Sequence, residues 1–124
     1  MPHGFTLVEA LVALALMLAG LASAGIVLGR SIQYERESGT RRTAIRLAGS
    51  LAEELRALDR ESTDPIPADA PALAAWSEAA VASLPAGSTA RVELAAGVPA
   101  QYQITIEWSV AGFGLQRLVL PVTP

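Results

Sequence analysis

With 124 residues, no cysteine and a formal net charge of −3, the chain has the length of one domain and lacks the basic excess of a nucleic-acid binder. The missing cysteines exclude a disulfide framework, a thiol nucleophile and cysteine-bearing metal sites. Hydrophobic residues make up 52% of the chain, a share raised by the apolar N-terminus and by abundant alanine.

From Phe5 to Gly29 the only charged residue is Glu9, and the twenty residues Ala10–Gly29 carry no charge at all. As a helix that run spans about 30 Å, the thickness of a bilayer's hydrocarbon core. A carboxylate inside such a segment costs roughly 2.5–3.5 kcal/mol at a membrane centre and less near an interface. Glu9 therefore sits at headgroup depth or meets a positive partner once the helix is in place. Gly25 and Gly29 stand at G-x-x-x-G spacing. That spacing suits close helix packing, although small residues are common in membrane helices. A cleavable secretory signal is the rival reading, with Ala22-Ser23-Ala24 as its A-x-A site. Against it stand the missing basic n-region, Glu9 within the apolar run, and a run longer than the usual 7–15 residues.

Residues 30–60 continue as helix but change character. Gln33–Arg42 is polar, with Glu37 and Arg41 at i,i+4 spacing, and Gly39 marks a possible bend or break. From Ala44 onward an apolar stripe returns at Ala44, Ala48, Leu51, Leu55 and Leu58, at the 3–4 spacing of a core-facing helix. Arg46, Glu53, Glu54, Arg56 and Arg60 fall off the stripe and read as a solvated face.

Three prolines and two aspartates make residues 62–71 a linker. A short helix is expected over 72–84, with Leu73, Trp76, Ala80 and Leu84 on its apolar side and Pro85-Ala86-Gly87 ending it. Over residues 89–122 the pattern changes to period two. In Gln101–Val110, Tyr102, Ile104, Ile106, Trp108 and Val110 alternate with polar residues, as in a half-buried strand. Ala111-Gly112-Phe113-Gly114 reads as a turn into a second strand with Leu118, Leu120 and Val122 on one face. A third strand, Thr89–Ala95, closes at Gly97 and Pro99. Three such strands form an antiparallel meander with one apolar face, which the Leu51-Leu55-Leu58 stripe can cover. The expected core is Leu51, Leu55, Leu58, Trp76, Ile104, Ile106, Trp108, Leu118 and Leu120.

The stretch Gly4-Phe5-Thr6-Leu7-Val8-Glu9 followed by an apolar helix resembles the type III signal of type IV pilins and type II secretion pseudopilins. The family pattern is a leader ending in glycine, then Phe, then an acidic residue fifth in the mature chain. Met1–Gly4 departs from it in being very short and in carrying His3 where Lys or Arg is usual. The run TRRTAIRLAGSLAEELRALD, Trp76, Leu84-Pro85-Ala86-Gly87 and Tyr102–Trp108 are similar to PilV-like minor pilins of Gram-negative bacteria.

The resemblance implies an α+β, type IV pilin-like fold: a long N-terminal helix, its apolar half transmembrane, packed on a small three-stranded antiparallel sheet. It implies a leader over 1–4, a transmembrane and assembly half over 5–29, and a periplasmic domain over 30–124. A prepilin peptidase is expected to cut between Gly4 and Phe5 and to N-methylate Phe5. Glu9 is expected to meet the free amine of a neighbouring subunit, an attraction that is strong in low dielectric and offsets its burial. The expected partners are other minor pilins, a major pilin or pseudopilins, the peptidase and the inner membrane, with no nucleic acid. The resemblance leaves two functions open, minor pilin of a type IV pilus and type II secretion pseudopilin. A secreted periplasmic binding domain released after Ala24 is the rival from the signal-peptide reading.

Catalysis is not expected. The one histidine, His3, falls in the expected leader; without lysine there is no G-x-x-x-x-G-K loop. Asp64 and Asp69 lack the ligand spacing of a calcium loop. No cofactor or metal is expected.

Overall fold

A computed structural model describes residues 4–61, 64–95 and 101–123. The chain divides into two units, one up to Arg36 and one from Glu37 onward. Five elements follow one another: helix α1 (Leu7–Glu61), helix α2 (Pro71–Ala82), and strands β1 (Thr89–Ala95), β2 (Gln101–Val110) and β3 (Gly114–Val122).

α1 runs helical through Gly39 without interruption, so no break occurs there. One glycine costs a helix about 1 kcal/mol, too little to interrupt one this long. The first unit holds the apolar part of α1. In it every described residue is exposed, among them Leu11, Val12, Leu14, Leu16, Met17, Leu18 and Leu21. Apolar side chains all round a helix are the mark of a membrane or a partner as solvent.

The second unit is built on a meander. The strand order is β1-β2-β3, and both pairings are antiparallel. β2 is central, and its alternation sends Tyr102, Ile104, Ile106 and Trp108 into the core, each at most 2% exposed. Ala44, Ala48, Leu51, Ala52 and Leu55 of α1 join that cluster, together with Leu73 of α2 and Val122 of β3. These alanines and leucines of α1 share one buried cluster with the inner face of the sheet.

The expected core needs one correction. Leu58 is 37% exposed. At about 100° per residue, the burial of Ala52 turns the centre of the buried stripe away from Leu58 and leaves it at the margin in the last turn. Trp76, Leu118 and Leu120 are half-buried and pack against the cluster; on α2 the fully buried positions are Leu73 and Ala80. Leu118 and Leu120 keep partial exposure because β3 is an edge strand.

The connections also follow from particular residues. α2 starts with Pro71 in its first turn, where the missing N–H costs nothing. It ends at Ala82, with Ser83 as its C-cap and ahead of the expected stop, because a separate turn follows. There the Ser88 N–H reaches the Pro85 carbonyl at 3.2 Å and Gly87 takes φ +83°, the third-position requirement of a type II turn. The β2–β3 connection repeats the device: the Phe113 N–H donates to the Val110 carbonyl at 3.0 Å, and Gly112 takes φ +85°. The linker is pinned by Tyr102, whose buried hydroxyl accepts the Ile66 N–H at 2.6 Å. Gly97 and Pro99, expected to close β1, lie outside the described residues.

Candidate functional site: the N-terminal segment

The residues singled out for processing lie where the chain enters α1. Gly4, Phe5 and Thr6 have no regular secondary structure, and the helix begins at Leu7. The Gly4–Phe5 peptide is thus outside the hydrogen-bonded helix, the state a protease needs in order to lay a substrate along its own backbone. Phe5 is 80% exposed. Among the described residues a Cβ built on Gly4 meets nothing within 4 Å, so none of them demands glycine there. Glycine at this position suits close approach by another molecule.

Glu9 lies in the first turn of α1, where the partial positive charge of the helix end favours a carboxylate. Thr6 holds that turn together. Its carbonyl accepts the Ala10 N–H at 3.1 Å, and its Oγ1 accepts the Glu9 N–H at 3.3 Å. The sequence signal for this contact is Thr6-x-x-Glu9, a capping-box pattern that the reading by hydropathy and charge passed over. Beyond it the helix is long and apolar enough to cross a membrane, and none of its most apolar window is buried. Gly25 and Gly29 are exposed, with open space where a Cβ would be. They leave an exposed small-residue surface on the helix.

The second unit offers a different cluster, on the outer face of the sheet. Glu107 of β2 receives Arg117 Nε of β3 at 2.6 Å and lies 3.5 Å from Arg91 of β1. Arg117 and Thr89 are its direct cross-strand partners in register. A shallow depression there is lined by Arg91, Glu93, Gln103, Thr105, Arg117 and Val119. Its charges are matched across neighbouring strands, as in a solvated sheet face. Among the described residues no group of His, Cys, Asp and Glu is arranged to hold a metal ion.

The N-terminal geometry agrees with what comparison finds. Residues 2–25 match the prokaryotic N-terminal methylation motif. That stretch spans the Gly4–Phe5 bond, Glu9 and most of the uncharged run. No curated protein and no solved structure matches the chain.

Proposed function

We propose that this chain, which carries the N-terminal methylation signature of the type IV pilin-like superfamily on a pilin-like α+β fold, is a minor pilin. It is a non-catalytic subunit that primes or caps a type IV pilus together with other minor pilins. The observation that carries the reading is the entry into α1: an exposed Gly4–Phe5 peptide outside the helix, one carboxylate at Glu9, then an exposed apolar helix.

In this reading the first half of α1 anchors the chain in the inner membrane and the second unit stands in the periplasm. Prepilin peptidase cuts after Gly4, and Phe5 becomes the N-methylated first residue. The new ammonium of one subunit and Glu9 of its neighbour then attract each other in a medium of low dielectric. A single charged pair amid uniform apolar packing selects one axial stagger, because every other register leaves a carboxylate in lipid without a partner. The choice of the pilus over the type II secretion filament rests on the resemblance of the second unit's sequence to PilV-like minor pilins alone.

Shearing filaments from the native host and probing them for this chain tests the choice. Recovery with the pilus fraction, and loss of piliation on deletion, is the expected result. Recovery with a type II secretion filament, with piliation intact after deletion, would make it a pseudopilin instead.

A further inference from the structure

The first turn of α1 contains a contact that the assembly role of Glu9 leaves unused. Thr6 stands just ahead of the helix, with its Oγ1 on the Glu9 N–H at 3.3 Å and its carbonyl on the Ala10 N–H at 3.1 Å. Thr6 is therefore the N-cap and Glu9 the third helical residue, the order of a capping box, of which the structure shows the hydroxyl half. The first N–H groups of a helix have no partner inside it. Where lipid or neighbouring helices exclude water, a hydroxyl that satisfies one of them has little competition.

We infer that Thr6 is a positioning residue for Glu9: its hydroxyl closes the first turn, so that the Glu9 carboxylate and the amino terminus created at Phe5 are presented to a neighbouring subunit in one fixed arrangement. The inference rests on the proposed assembly role of Glu9. Once the bond after Gly4 is cut, only Phe5 precedes the cap. An open first turn would carry the ammonium and the carboxylate through many orientations. A closed one has already given up that freedom, and less is lost on docking.

Thr6→Val removes the hydroxyl and keeps the branched shape, whereas Thr6→Ser and Thr6→Asn each keep a capping oxygen. In the full-length protein in detergent micelles, Thr6→Val should speed amide hydrogen exchange at Glu9 by about fivefold. In the native host, its incorporation into sheared filaments should fall to the level of Glu9→Gln while cleavage after Gly4 continues. Ser and Asn should restore both readouts. The double variant Thr6→Val/Glu9→Gln should be no worse than Glu9→Gln, since residues that act as one unit are not additive.

Normal incorporation of Thr6→Val would overturn the inference. So would failure of Ser and Asn alongside Val, or a further fall in the double variant. Should the wild-type chain not be cut between Gly4 and Phe5, the pilin reading itself fails, and with it the assembly role. The exchange measurement still stands alone in that event: an unchanged rate at Glu9 in Thr6→Val shows that the hydroxyl does not hold the turn.

Discussion

Among the described residues a Cβ built on Gly4 meets no atom within 4 Å, so the described fold admits a larger residue there and the need for glycine falls on whatever cuts the neighbouring bond. Gly4→Leu should therefore leave a folded chain that accumulates uncut, read as the mass of the unprocessed form; normal processing would contradict the assignment. Inside the second unit, residues on one helix should differ sharply. Leu55 is 1% exposed and Leu58 37%. Leu55→Ala should cost about 2–5 kcal/mol by cavity formation, and Leu58→Ala less than about 1 kcal/mol, measured by denaturant unfolding of the full chain in micelles. Equal costs would mean that the stripe is centred between them. Tyr102→Phe removes the acceptor of the part-buried Ile66 N–H and should cost about 1–3 kcal/mol. A neutral result would show that water takes the hydroxyl's place.

At the scale of elements, α1 is one helix with two surroundings, apolar all round in its first half and striped in its second. Gly39 lies exposed between these stretches, with open space at its Cβ position. Gly39→Ala should raise thermal stability by up to about 1 kcal/mol, and a loss of stability would point to a packing role for that glycine. Much of this organisation is legible in the residues. Tyr102, Ile104, Ile106 and Trp108 alternate with polar neighbours so regularly that only a strand with one buried face suits them, and β2 is that strand. Leu58 misleads because a 3–4 spacing counts positions without tracking how the stripe turns, and burial of Ala52 is what turns it. Gly87 reads as a helix stop, yet it serves the turn after the helix; both uses ask for positive φ, and the sequence alone does not separate them. Thr6 is legible as a capping residue, but hydropathy and charge draw the eye to Glu9. The grouping of Arg91 and Arg117 about Glu107 is hidden, because it depends on the register of three strands.

For the whole molecule, the two units make different physical demands. The second has a core of its own, drawn from both helices and the sheet. The first consists of exposed apolar helix, and burying that surface is favourable at roughly 25 cal/mol per Å² wherever lipid or neighbouring helices replace water. The chain should accordingly sediment with membranes and resist extraction by high salt, since its attachment is apolar. The account turns on what happens to the Gly4–Phe5 bond, and mass spectrometry of the mature N-terminus in the native host tests it most directly. The account predicts a chain beginning at N-methylated Phe5. A chain beginning at Gly25, released after Ala22-Ser23-Ala24, would contradict it.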